Sequence, residues 1–248
     1  MTVVVTGAGN GLGRSLALAC RARGDAVLAV DCDDEALTCL EGVTSVDVDL
    51  LAVGAVDHIR NALTEPCSEI HHVAGISGTG RFEEIPPDHH ERVLTLNFEV
   101  PMQITCALLA AGAFAPTARH VFIASLSRFT SYPGATSYAA SKDGIASFAR
   151  SLDAALPERM SAHCVFPGPL RTAHAARYSP DNSAAKVRRR QDPDDAAAAI
   201  LRQLARGRTR IFPNAAARGF AAAGVLAPGL VGGALRRSLF ENFSAPQL

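Results

Sequence analysis

Tryptophan is absent from this chain, tyrosine occurs three times, and aromatic residues make up 6% of its 248 positions. Large planar ligands are held by stacking, so the shortage weighs weakly against one. Phe82, Phe129, Tyr132 and Tyr178 still remain available to a site. Net charge is also absent, with 24 basic residues against 24 acidic ones. No global field therefore draws the protein to nucleic acid or to an anionic membrane. The six cysteines (Cys20, Cys32, Cys39, Cys67, Cys106 and Cys164) include no C-x-x-C pair and no metal-type spacing. They read as reduced, mostly buried thiols of a cytoplasmic protein without a bound metal. The apolar run at residues 2–5 follows Met1 directly and ends in a turn, which is not the build of a signal peptide. Residues 219–235 carry no charge, but they include Pro228 and five glycines and fall short of the roughly 20 apolar residues of a membrane span. They are expected to form a packed or oligomer-buried segment, with peripheral membrane contact the lesser alternative.

What is present is a strict alternation. Residues 3–5, 26–30, 45–48, 69–73, 120–124 and 162–166 are short runs, largely apolar on both faces, as buried parallel strands are. Between them, residues 12–23, 34–39, 53–63, 88–112 and 136–155 have helical period, and 194–206 adds a later helix. Alternating β and α elements imply an α/β, doubly wound parallel sheet, the Rossmann fold, in one domain over residues 1–248. Ligands of such a sheet bind at the carboxyl ends of its strands. The polar stretch 173–192 follows the sixth strand and ends in Lys186, Arg188, Arg189 and Arg190, so it is a candidate substrate lid. Residues 215–248 form a variable C-terminal segment.

Two motifs carry the chemistry. The first strand runs into Thr6-Gly7-Ala8-Gly9-Asn10-Gly11-Leu12-Gly13 and then a helix. Glycines let the backbone approach a pyrophosphate, and the helix start supplies free N–H donors. Asp31 ends the second strand about 20 residues on, where a carboxylate accepts from ribose hydroxyls and repels a 2′-phosphate. NAD is therefore expected over NADP. Asp49 and Leu50 follow the third strand; Asp49 can accept from the adenine amino group or serve as a turn or cap residue. The second motif is Ser125-x12-Tyr138-x3-Lys142. Tyr138 and Lys142 lie one helical turn apart, so they share a face. An ammonium there is expected to lower the phenol from its ordinary pKa of about 10 towards proton exchange at neutral pH. Tyr138 then acts as general base or acid, while Ser125, ending the fifth strand, holds the substrate oxygen.

With these residues the chain resembles the short-chain dehydrogenase/reductase family in its compact form, over residues 2–172. The resemblance takes in the glycine loop, Ala74-Gly75, Asn97, Ser125, Tyr138, Lys142 and Pro167-Gly168-x3-Thr172. It implies that Gly7, Asn10, Gly11, Leu12, Gly13, Asp31, Asp49, Leu50, Ala74 and Gly75 border the cofactor. It also implies that Lys142 binds the nicotinamide ribose, that Pro167, Leu170 and Thr172 meet the carboxamide end, and that Asn97 maintains a water-linked proton relay through Lys142. The family's paired asparagines before Ala-Gly are replaced here by His72 and Val73, a change of packing more than of chemistry. Adjacent strand residues face opposite ways, so His71 and His72 do not share a metal. Arg128 stands where the family often has glycine, either lining the pocket or extending outward.

The expected activity is NAD-linked oxidoreduction of a secondary alcohol or its ketone, a small-molecule substrate. The alternatives are a non-catalytic NAD-binding regulatory protein and a nucleotide-sugar epimerase or dehydratase. The glycine spacing disfavours the epimerase, and the intact Tyr–Lys pair disfavours the regulator. A homodimer is expected through apolar helices at 102–114 and 138–155, or a homotetramer if the C-terminal segment adds a contact.

Overall fold

Seven parallel strands form one sheet in the order β3-β2-β1-β4-β5-β6-β7. The computed structural model describes residues 1–179, 182–238, 240–242 and 246–248. The strands are β1 (Thr2–Thr6), β2 (Ala26–Asp31), β3 (Thr44–Asp47), β4 (Cys67–His72), β5 (Phe114–Ile123), β6 (Ser161–Val165) and β7 (Arg210–Ile211). The helices are α1 (Gly11–Ala22), α2 (Asp34–Thr38), α3 (Ala55–Ala62), α4 (Pro87–Leu94), α5 (Val100–Ala110), α6 (Thr136–Asp153), α7 (Ala173–Arg177), α8 (Ala184–Arg189), α9 (Pro193–Leu204), α10 (Ala215–Leu226) and α11 (Pro228–Ser238). β7 is too short to show a pattern in the sequence. Pro180 and Asp181 of the proposed lid, and residues 239 and 243–245 of the C-terminal segment, lie outside the described residues.

Burial on both faces explains why the inner strands lack polar alternation, whereas β3, at the sheet edge, is exposed or half-buried throughout. β1 is buried throughout. On one side Val3 and Val5 join Leu16 and Cys20 of α1 and Ile200 and Leu204 of α9. On the other, Val4 joins Ile59 of α3 and Ile104 and Leu108 of α5, and further along the sheet Phe122 meets Ile145 and Ala149 of α6. Each fully buried aliphatic chain contributes about 1.5–3 kcal/mol. Successive strands run outward from β1 to β3, and then the chain returns to place β4 on the other side of β1. The crevice therefore opens between the carboxyl ends of β1 and β4.

The helix anticipated at 88–112 is interrupted. Residues Thr95–Glu99 form a π-helical turn between α4 and α5. Pro101 has no N–H to donate to the Asn97 carbonyl four residues earlier, and Val100 N donates instead to Thr95 O. The widened turn leaves Asn97 buried. The run Pro87–Ala110 is long and apolar enough by composition to cross a membrane. It has the build of a core helix, with Val100, Ile104 and Leu108 packed on the sheet.

One further expectation is corrected. Cys32, Cys39 and Cys106 are exposed, so only Cys20, Cys67 and Cys164 behave as core thiols. Leu109 is partly buried against the core, and the outer face of α5 carries Met102, Gln103, Cys106 and Ala110. The segment 219–235 forms the end of α10 and most of α11; Ala221 and Gly224 are buried, while Val225, Leu226 and Leu230 are exposed within the single chain.

A buried ion cluster lies under α1. Glu69 of β4 is 1% exposed and pairs with Arg119 of β5 at 2.6 Å and Arg23 at 3.2 Å. His71 donates to it at 2.6 Å. Cys20, Glu69 and His71 bring three potential ligand atoms within 4.8 Å of one another. Two guanidinium groups already neutralise that carboxylate, and burial pushes the Cys20 thiol up to about 12, so a cation finds no thiolate there. Burial alone would raise Glu69, but the His71 hydrogen bond and the charges of His71, Arg119 and Arg23 outweigh it and hold the carboxyl at about 2. A carboxyl depressed on folding stabilises the protein above its unfolded pKa, and that stability is lost as pH falls through the folded value. Glu69→Gln should lower the melting temperature by roughly 10 °C at pH 7, since breaking a buried pair costs about 3–5 kcal/mol. The deficit should close between pH 4.5 and about 2. Calorimetry of both proteins across that window checks this; a pH-independent deficit would contradict the ionic origin.

Candidate active site

The crevice is built from the end of β1 outward. Thr6 Oγ1 accepts from Val73 N at 3.1 Å and from Ala74 N at 3.3 Å, and donates to His71 O at 3.4 Å. This hydroxyl ties β1 to β4 where the chain directions part. His72 stacks on Phe122 at 4.8 Å and meets Thr105 Oγ1 through Nε2, so packing braces the end of β4. Gly7 follows at φ +69°, and a Cβ there would lie 2.7 Å from the Ala74 backbone. Only glycine lets the loop turn this close to β4.

Beyond Gly7 the loop passes Gly9, whose N–H donates to Asp31 Oδ2 at 2.8 Å. Asp31 Oδ1 accepts from Asp33 N at 3.1 Å, so the carboxylate is fixed at the end of β2. Asn10 begins α1 without a side-chain cap, leaving the first helical N–H groups to face the crevice. Leu12 and Leu50 direct their side chains into the core, so only their backbone borders the crevice. Asp49 Oδ1 accepts from Leu51 N at 2.9 Å, which realises the turn alternative for that residue. Across the crevice the segment from Pro167 to Leu170 leads to Thr172, which caps α7 through Ala175 N at 3.1 Å. Its methyl group lies against Gly11, bringing the sixth-strand loop up to the glycine turn.

Ser125, Tyr138, Lys142 and Asn97 converge at the ends of β4 and β5. Lys142 is 5% exposed, donates from Nζ to Ile123 O at 2.9 Å, and lies 5.7 Å from the Tyr138 ring centre. Burial pushes the ammonium down to about 8. The expected depression of the phenol is not seen. Burial raises Tyr138, nearby Tyr132 adds to the rise, and the hydrogen bond with Ser125 offsets only part of it. Desolvation is the largest influence on both groups. Asn97 accepts from Ile76 N at 2.9 Å and donates to Ile76 O at 2.9 Å and to Ser141 Oγ at 3.1 Å. Ser141 in turn donates to Tyr138 O at 2.7 Å. Asn97 thus binds the β4 loop to α6 through direct hydrogen bonds. A Cβ on neighbouring Gly75 would lie 2.7 Å from Asn97 Oδ1 and 3.5 Å from Lys142 Nζ, which puts both groups beside that turn.

Two residues here were not singled out from sequence. Ser141 is fully buried in the Asn97 link; its place three residues after Tyr138, on the same helical face, was the available signal. Tyr132 was only one of several aromatics, yet its ring lies 6.5 Å from that of Tyr138. Of the others, Phe129 packs on Phe166 and Phe212, Phe82 is largely exposed, and Tyr178, within the lid region, is buried. The lid region contains α7 and α8. Thr79 secures it to the β4 loop, donating to Tyr178 O and exchanging backbone bonds with Gln247. Arg128 is exposed and approaches Asp143 of α6.

Strand order and crevice together define an α/β protein of the doubly wound, nucleotide-binding class. Residues 1–183 match the family described as short chain dehydrogenase, and the chain belongs to the short-chain dehydrogenase/reductase family of oxidoreductases. An uncharacterized short-chain type dehydrogenase/reductase of Sinorhizobium fredii is 31% identical over 184 residues, covering 70% of this chain and 33% of that protein. An uncharacterized oxidoreductase of Escherichia coli is 31% identical over 179 residues, covering 69% and 66%. The chain thus aligns with a third of the first relative and just under two thirds of the second. Among solved structures, a short-chain dehydrogenase from Streptomyces avermitilis superposes with a TM-score of 0.79 at 25% identity, covering 91% of this chain and 93% of that one. A family member from Burkholderia phymatum in complex with NAD gives 0.76 at 21%, covering 89% and 91%. One from Sphingobium yanoikuyae in complex with NADPH gives 0.75 at 23%, covering 91% and 93%.

The Asn97 link makes a structural prediction. Ser141→Ala removes the acceptor for Asn97 Nδ2 without altering either crevice-facing group. It should cost about 1–3 kcal/mol, the penalty for a buried donor left unpaired. Urea unfolding checks this, and an unchanged midpoint would show that water or another group replaces the hydroxyl.

Proposed function

We propose that this protein is an NAD-preferring dehydrogenase or reductase acting between a secondary alcohol and its ketone. The observation that carries the reading is the convergence of Ser125, Tyr138 and Lys142 beside a glycine turn at the β1–β4 crevice. Family membership and the NAD-bound relative support a nicotinamide cofactor; the NADPH-bound relative leaves the choice between the two to this chain's own residues. The crevice fits such a group. Gly7 holds a close approach that a side chain would fill, α1 presents uncapped N–H groups to phosphate, and Asp31 stands fixed where ribose hydroxyls would donate. When bound, the nicotinamide supplies the hydride acceptor or donor.

The chain's own residues manage the oxygen and the proton. Ser125 Oγ, at the end of β5, donates to the substrate oxygen and fixes its distance from Tyr138. In oxidation the alcohol loses its hydroxyl proton to the Tyr138 phenolate as its carbon loses hydride; in reduction the phenol returns that proton. Lys142 keeps positive charge beside the ring, and burial makes that charge act through a low dielectric. Burial raises the Tyr138 phenol in the chain alone, and Lys142 is the cation that stands beside its ring. Asn97 and Ser141 hold α6 against the β4 loop, positioning both catalytic groups. Pairing as a homodimer through α5 and α6 belongs to the same proposal, supported by the exposure of Met102 and Cys106 on α5.

Tyr138→Phe keeps the ring and removes the titrating hydroxyl. Turnover, followed by NADH absorbance against a panel of secondary alcohols and ketones, should fall about 100-fold or more, with nucleotide affinity little changed. Near-normal turnover would exclude Tyr138 as the acid–base. For the cofactor, titration calorimetry should give NAD at least a tenfold advantage over NADP, roughly 1.4 kcal/mol. Asp31→Ala should narrow that ratio; an unmodified protein that binds NADP as tightly would refute the role of Asp31.

A further inference from the structure

We infer that the corner between α10 and α11 docks this protein onto an anionic lipid surface. The two helices bend by 116° at Ala227. The corner projects Val225, Leu226 and Leu230, which are 66%, 84% and 80% exposed. Gly219, Ala222, Ala223, Pro228, Gly229 and Ala234 are exposed as well, and none of these residues carries a charge. Large apolar side chains in open water mark a surface with a partner.

Charge identifies the partner. Overall the chain is neutral, yet no carboxylate lies between Asp195 and Glu241, while seven arginines do. Arg218 on α10 and Arg236 and Arg237 on α11 are exposed, about 12 Å along their helices from the corner at 1.5 Å per residue. A corner that enters the acyl boundary by about 5–10 Å leaves these arginines at headgroup depth, where they meet lipid phosphates. A second copy is a poorer occupant. A two-fold contact is self-complementary, so it would bring Arg218 and Arg236 of one copy towards those of the other, with Glu241 the single acidic side chain after Asp195 to answer them. α10 also packs on the turn at residues 126–129, with Gly224 against the Phe129 carbonyl, so the docked edge adjoins the loop that follows Ser125.

Vesicle flotation with the full chain tests this. The parent protein should bind phosphatidylcholine vesicles containing about one third phosphatidylserine at least tenfold better than pure phosphatidylcholine, and added salt should reduce the difference. Leu226→Glu should lose at least about tenfold of that binding, and Leu230→Glu, on the other helix, should do the same independently. Both positions are exposed, so circular dichroism and melting should match the parent. Arg236→Gln with Arg237→Gln should lower binding to the anionic vesicles while leaving the weak binding to neutral ones. Absence of binding to anionic vesicles would overturn the inference, as would Leu226→Glu binding like the parent. So would a fall in light-scattering mass in Leu226→Glu without any vesicle binding by the parent, since that outcome assigns the patch to a contact between copies.

Discussion

The hydroxyl of Thr6 is the point from which the rest of the molecule is set. A parallel sheet wound in both directions must part its strands somewhere, and the parting exposes backbone groups that neither neighbour can satisfy. Here the carboxyl ends of β1 and β4 part, and Thr6 Oγ1 takes up the two free N–H groups of Val73 and Ala74. With those strands pinned, Gly7 can press against Ala74, α1 begins over the gap, and the β4 loop is carried towards Asn97. The same crevice therefore follows from closing the fold and from admitting a nucleotide.

Burial governs the electrostatics on both sides of the sheet, with opposite results. Under α1, Glu69 loses water but gains His71, Arg23 and Arg119, and the gain prevails. Beside α6, Tyr138 and Lys142 lose water without an offsetting charge of the kind Glu69 has, so both are driven towards neutrality. The first arrangement is complete within the chain and serves stability. The second leaves two titratable groups with their ordinary values displaced by burial, which is the arrangement that functional sites share.

Much of this was legible in the sequence, for reasons of burial and period. Five of the six strands that could be read are short runs covered on two faces; β3, at the sheet edge, is exposed or half-buried along its length, and β7, at two residues, leaves no such trace. The glycine loop and the Tyr–Lys spacing are local in the chain and local in space. What escaped was set by tertiary context. The helix over 88–112 reads as continuous because its apolar period persists, whereas a single missing N–H at Pro101 opens it around Asn97. A phenol beside a lysine reads as acidified until the loss of water around both is counted. Leu109 and Leu226 look alike in an uncharged run, yet one is partly buried against the core and the other is exposed.

The π turn shows how position and chemistry come from one feature. Without the extra residue, the side chains of α4 and α5 would keep a single helical phase, and a polar amide in that core would be costly unless fully paired. The widened turn, forced by Pro101, lets one amide leave the helix phase and spend its hydrogen bonds on the β4 loop and on α6. That amide then fixes the distance between the loop bearing Gly75 and the helix bearing Tyr138 and Lys142. A distortion that would weaken an ordinary helix is thereby offset by the contacts it creates, and the geometry between two separate elements comes to depend on one side chain.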